Sequence, residues 1–359
     1  MPHSDGSETA AQKSRGARAL ILPLLATVLM SASQADDKPL YPSSVVGTDF
    51  DFILESDPDV FAALDYTGKG HPEMPDKTSR SAPLRKPAFT FVSRYRDGTS
   101  IALAIDAEFK TEAEARQEAL RYTPRLGKLP TSLRRGVDRV VVHKGGADAT
   151  AFSDVGLIVL YSANATRRIG THDLEETVFH ESVHAAWDKA HAASPEWRAA
   201  QKGDGRFVTE YARKNPDGED LAESALFAYA LLHHPERIPQ EEAARIRRAI
   251  PARIAFVATL LPPDKPIHVT LCPVDVTRPG PLSDILSVAL VQGLRKEEGK
   301  VRSFLAEARD KYSDAETLIR AVAEGFGVEA TELRARIEKH RHDRCTHGGL
   351  KDAPAGASK

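Results

Sequence analysis

The stretch His180-Glu181-Ser182-Val183-His184 constrains this chain more than any other. Side chains four residues apart share one face of an α-helix, so a helix here brings two imidazoles to the same point in space. Two such nitrogens suit a metal ion. Glu181 projects beside them, placed to act on a metal-held water without being a ligand itself. The flanking pattern favours that helix: Thr171 or Asp173 can cap its start, acids crowd the first turn, and Leu174, Val178, Val183 and Trp187 recur at core-facing spacing. Taken alone, the same five residues also fit two helix histidines beside a surface glutamate, so the rest of a metal site has to be found elsewhere.

A catalytic zinc takes three protein ligands and keeps one position open. If the third ligand lay on the same helix, the order would be HExxHxxGxxH, but Trp187 stands at the glycine position and Ala190 at the histidine position, with His191 one residue out of step. The methionine that should follow such a site is also missing, since Met1, Met30 and Met74 all lie upstream. The better candidate is about forty residues on. Asn215-Pro216-Asp217-Gly218 is turn chemistry, and a helix opens at or just before Glu219. Glu219 and Glu223 share a face of it, so Glu219 can complete the metal site while Glu223 hydrogen-bonds the far nitrogen of a ligand histidine and fixes its tautomer. The plainer account is that Glu219 and Asp220 only load a helix N-terminus with favourable negative charge.

HExxH followed by the Tyr-x-x-x-Asn of Tyr211 to Asn215 and the Glu-x-x-Ala-Glu of Glu219 to Glu223 resembles the gluzincin metallopeptidases, most closely the anthrax lethal factor-like catalytic domain. The resemblance covers roughly residues 150–235, and the step from Tyr211 to Glu219 is one residue longer than the pattern, at Gly218. It implies a zincin-like fold with a Zn²⁺ cofactor held by His180, His184 and Glu219. Glu181 would be the general base for water attack on a peptide carbonyl, Tyr211 would donate its hydroxyl to the oxyanion, and Glu223 would be the acid behind a ligand histidine. It implies nothing about pore- or receptor-binding modules, which have no counterpart here.

The remaining pattern is α+β. Pro87 to Val92 and Thr99 to Ile105 read as strands around an Arg96-Asp97-Gly98 turn, Thr111 to Tyr122 as an amphipathic helix, and Val137 to His143 as a further strand. Asp154 to Tyr161 reads as a buried or edge strand shortly before the HExxH helix; as an edge it can pair with extended substrate. A small sheet then backs the metal-site helix. Residues 36–80 read as loop-rich and Glu241 to Leu261 as helical. Asp188, four residues after His184, reads as a solvated late-helix acid or as a partner of that histidine. The expected organisation is a metallopeptidase domain over 36–262, a Pro-rich linker over 263–282, a small helical C-terminal domain over 283–345 and a disordered tail over 346–359. Helices are expected at 282–294, 297–312, 315–326 and 330–340.

Residues 1–35 have the three-part layout of a secretory signal peptide. Lys13, Arg15 and Arg18 precede an apolar run from Ala19 to Met30, with cleavage expected after Ala35. That run is short of the roughly twenty residues a spanning helix needs, so the mature protein is expected to be periplasmic or extracellular with no membrane span. In such a compartment Cys272 and Cys345 can form a disulfide; the cluster of His340, His342, Cys345 and His347 matches no standard metal finger. The 49 Lys+Arg against 51 Asp+Glu, a net charge of −2, give no basic stripe for nucleic acid. The expected partner is a protein or peptide substrate. Two alternatives stay open: a zinc amidase acting on a cell-wall amide, and a catalytically idle zincin fold serving as a binding module.

Overall fold

The structure is a computed structural model that describes residues 38–77, 84–147, 151–269, 279–312 and 314–340. The expected signal segment, both cysteines, His342, His347 and the tail lie outside the described residues. Strands β1 (Phe61–Gly70), β4 (Ala88–Tyr95), β5 (Ser100–Asp106), β6 (Arg139–His143), β7 (Ala151–Asp154) and β8 (Leu157–Tyr161) form one sheet, and β2 (Glu73–Met74) with β3 (Leu84–Arg85) a separate short ribbon. The sheet order is β1-β4-β5-β6-β8-β7; β5–β6 and β6–β8 run parallel and the other pairs antiparallel. The fold class is therefore mixed α+β.

Period-two alternation decides the two faces. Ile101, Leu103 and Ile105 point into the main core, while Ala102 and Ala104 between them face the other side. Between β5 and β6 the chain crosses over through α1 (Glu112–Leu120), α2 (Thr123–Lys128) and α3 (Thr131–Arg134). Thr111 starts α1 by accepting the Glu114 N–H.

After the sheet come α4 (Ser162–Gly170), α5 (Leu174–Val183), α6 (Pro195–Asp204), α7 (Glu210–Lys214), α8 (Asp220–His233), α9 (Gln240–Ala249) and α10 (Pro251–Leu260). Helix α8 is buried on every side from Asp220 to Leu231, as its near-continuous apolar run requires. It packs with α5 in the core that also covers the sheet. The helical turns that follow α5 come close to the loop before β6: a Cβ on Gly136 would lie 2.0 Å from that of Ala186, so only glycine fits there. Helices α11 (Pro279–Val288), α12 (Glu298–Lys311), α13 (Ala315–Phe326) and α14 (Ala330–His340) enclose a second apolar core. Helix α14 lies on the face of the sheet opposite α5, where Ala335 packs on Val92 and Ala102. Among the described residues no helix is long and apolar enough to cross a membrane.

Four readings change. Residues 61–70 are a ten-residue strand rather than loop, because an edge strand that is only half buried and twice bulged shows little alternation. The stretch from Asp154 to Tyr161 is the end of one strand and the whole of another. Gly156, at φ +70°, turns the chain; β8 sits inside the sheet and β7 forms the edge. Pro251 divides the long helical pattern at Ile250 into α9 and α10. Asp173 stands at the start of α5, but its carboxylate accepts from Arg168 (2.9 Å) and Thr171 (3.0 Å) instead of capping.

Candidate metal centre

Helix α5 begins with two buried acids rather than solvated ones. Glu175 pairs with Lys128 (3.1 Å) and Arg125 (3.2 Å), and Glu176 accepts the Ile53 N–H (2.9 Å). These ties fix the helix that carries His180 and Glu181. Beyond Val183 the helix widens into π-type turns from His184 to Ala192, a distortion common at functional sites.

The imidazoles of His180 and His184 bring their Nε2 atoms to 3.1 Å, and Glu219 Oε2 lies 3.3 Å from the first and 3.2 Å from the second. Three ligands of a tetrahedral ion with bonds of about 2.0–2.1 Å stand about 3.3 Å apart, so this triangle has the dimensions such an ion needs. It is the one group of three or more metal-capable side chains among the described residues.

The far side of each ring explains why the Nε2 atoms converge. His184 Nδ1 lies 2.7 Å from Asp188 Oδ2, and His180 Nδ1 faces Glu223 Oε1 at 3.6 Å. A carboxylate hydrogen-bonded to His184 Nδ1 and another facing His180 Nδ1 favour the tautomers whose Nε2 lone pairs point at each other and at Glu219. Such a set of donors could hold a metal ion. Burial opposes charge on His184, yet the hydrogen bonds to Asp188 and Glu219 prevail and raise its pKa to about 10, so a proton on Nε2 and a metal ion would compete for the same place. Burial likewise pushes Glu219 up, while the two histidines pull its carboxyl far below the usual range.

Glu219 itself is set by the turn. The Gly218 and Glu219 N–H groups both donate to Asn215 O, at 3.2 and 2.8 Å, and Glu219 becomes the residue just ahead of α8. Gly218 has open space around its Cα, so the extra residue before Glu219 is absorbed outside the site. Tyr211 is consequently in reach: its half-exposed hydroxyl donates to Glu219 Oε1 at 3.0 Å. Burial and the Glu219 charge push that hydroxyl's pKa up, which keeps it a donor.

Glu181 is outside the triangle but close enough for its charge to act on His184 and Tyr211. Its Oε2 accepts the Ser153 hydroxyl at 2.7 Å, so edge strand β7 reaches the presumed base directly. Thus the six residues singled out in the sequence meet in one place. Three others join them. Asp188 had a signal, the same four-residue spacing that links the two histidines; Ser153 and Ser44, which donates to Glu223 Oε1 at 2.7 Å, had none.

Comparison with known protein families, curated proteins and solved structures gives no match for this chain.

Proposed function

We propose that the chain is a zinc metallopeptidase of gluzincin type on a zincin-like core, exported from the cytoplasm and acting on peptide bonds. The carrying observation is the 3.1–3.3 Å triangle of His180 Nε2, His184 Nε2 and Glu219 Oε2 with the carboxylate of Glu181 beside it. Two neutral imidazoles and one carboxylate are the donor set of hydrolytic zinc, which would polarise a carbonyl and lower the pKa of water held there to about 7.

The protein's own groups then have defined tasks. Ser153 occupies Glu181 Oε2 and leaves Oε1 to take the proton of the attacking water and return it to the leaving amine. Tyr211 is positioned to turn its O–H from Glu219 Oε1 towards the developing oxyanion. Among the described residues β7 is the edge of the sheet beside Glu181, where an extended peptide can add as a strand. An intact base among complete ligands disfavours the idle binding module.

The test is zinc content of the purified chain beside His184→Ala, Glu219→Ala and Glu181→Gln, with a mixed peptide library as substrate. Expected are one zinc per chain in the parent and in Glu181→Gln, loss of zinc in the two ligand variants, and cleavage by the parent only. A parent that takes up no zinc would end the proposal.

A further inference from the structure

Behind His180 the metal centre rests on one carboxylate, and most of what holds that carboxylate comes from the far N-terminal side of the described chain. Glu223 is fully buried. Its Oε1 accepts from Ser44 Oγ (2.7 Å) and faces His180 Nδ1; its Oε2 accepts the Val45 N–H (2.7 Å) and Thr209 Oγ1 (2.6 Å). Two of the three hydrogen bonds therefore come from residues 44–45. His180 Nδ1, buried, has no hydrogen-bond partner among the described residues, and Glu223 Oε1 faces it at 3.6 Å.

The segment around Ser44 is built into the protein, not draped over it. Tyr41 pairs in parallel with Thr209, its N–H on Val208 O (3.0 Å) and its carbonyl accepting from Glu210 N (2.9 Å). Its ring stacks on Phe227 at 5.2 Å, its hydroxyl donates to Glu242 (2.7 Å), and Arg245 grips the Leu40 carbonyl (2.8 Å). Val45 and Val46 are buried in a single 3₁₀ turn. Thr209 joins the two sides, since the hydroxyl that donates to Glu223 also caps α7, the helix that carries Tyr211.

Resting on the metal-centre reading above, we propose that residues 40–47 are a strap that sets the zinc affinity of the centre through Glu223, with Ser44 as a positioning residue. The donors on both oxygens fix the plane of the Glu223 carboxylate and keep Oε1 on the Nδ1 side of His180. That orientation fixes which nitrogen carries the proton and how strongly Nε2 binds. Without the Ser44 hydroxyl only the donors on Oε2 remain, Oε1 can swing away from His180 Nδ1, and the ordering is charged against metal binding.

Zinc affinity is read by competition with a fluorescent chelator, on the full chain, together with the melting temperature of the zinc-free protein. Glu223→Gln is expected to weaken zinc about tenfold to a hundredfold. Ser44→Ala is expected to weaken it about threefold to tenfold, in line with the net worth of one ordinary hydrogen bond. Ser44→Thr, which keeps the donor, restores the parent value. In a Glu223→Ala background Ser44→Ala changes nothing further, because the partner it acts through is gone. Equal losses in both backgrounds, a tighter site in Ser44→Ala, or a lower melting temperature with unchanged zinc binding would each overturn the strap. A parent that binds no zinc fails one stage earlier, at the metal centre itself.

Discussion

Two of the places where the described residues bury charged groups are built on opposite plans. At the candidate metal centre, two imidazole nitrogens and a carboxylate oxygen converge at 3.1–3.3 Å on one point that could hold a metal ion. On the opposite face of the sheet, where α14 docks, buried Asp138 lies between Arg336 (2.9 Å), Lys339 and His340, and Glu332 holds both Arg139 (2.9 Å) and Arg336 (3.3 Å). There the acids already have their cations. Convergent acceptors without a partner mark a binding site; acids and bases that satisfy each other mark a joint between elements.

The comparison breaks most directly by exchanging the losses. Asp138→Ala leaves Arg336 and Lys339 buried without their acid and is expected to cost about 3–5 kcal/mol of stability, while zinc uptake stays at the parent level. Glu219→Ala is expected to do the reverse. Denaturant unfolding and zinc titration of the two variants check this, and zinc loss in Asp138→Ala would show that the joint reaches into the site. Acid makes the same point without mutation. Burial pushes Asp138 up, but Lys339, Arg336 and His340 hold its carboxyl well below the usual range. Its contribution is thus present above the ordinary carboxylate pKa of about 3.9 and is lost as pH falls below it. Amide exchange in α14 followed from pH 6 to pH 3 should rise only at the acid end.

A smaller effect is expected from Glu176, which belongs to neither plan. It sits on the metal-site helix with 2% exposure, one oxygen on the Ile53 N–H and the other without a partner. Burial pushes its carboxyl up to about 7. A carboxyl raised on folding stabilises the protein fully below its unfolded pKa and progressively less as pH climbs towards 7. Glu176→Gln keeps the Ile53 bond and removes the titration. It should match the parent near pH 4 and exceed it by roughly 1–3 kcal/mol at pH 8, as urea midpoints at the two values would show.

How much of this was legible in the sequence follows the distance over which each contact acts. His180, His184, Glu219 and Glu223 were readable because helix period and turn chemistry fix them within short windows, and Ala315–Phe326 and Ala330–His340 have the expected bounds for the same reason. Tyr211 came only through resemblance, since nothing local aims a tyrosine hydroxyl at Glu219. Asp188 carried the right spacing, but acids late in a helix are usually solvated, and only the packing of the π-type turns decides otherwise. Val45 with Glu223 and Ser153 with Glu181 are 178 and 28 residues apart; such pairs are set by tertiary packing, for which no local pattern speaks. Strand β1 was hidden for a different reason, its half-buried edge position and two bulges blurring the alternation that announces β4 and β5.

The smallest expected effect lies where the two regions meet. Gly156 O accepts the Asp138 and Arg139 N–H groups at 2.7 and 2.9 Å, and Gly156 N–H donates to Ala185 O at 2.9 Å, one residue past His184. A Cβ on Gly156 would fall 2.2 Å from Asp138 Oδ2, so the turn is closed against the joint. From there β7 carries Ser153 to Glu181, and its last residue, Asp154, is ion-paired to Arg295, just past the π-type turn that follows α11. Both partners of that pair are about half exposed, so Arg295→Ala should change global stability by less than about 1 kcal/mol and leave zinc binding untouched. What it should change is local: amide exchange in β7 rises while that of α5 and β8 stays as in the parent. If β7 exchanges no faster, the Gly156 turn alone holds the edge strand against Glu181. If α5 loosens as well, the joint and the metal centre form one cooperative unit, and the contrast between them is one of charge design rather than of independence.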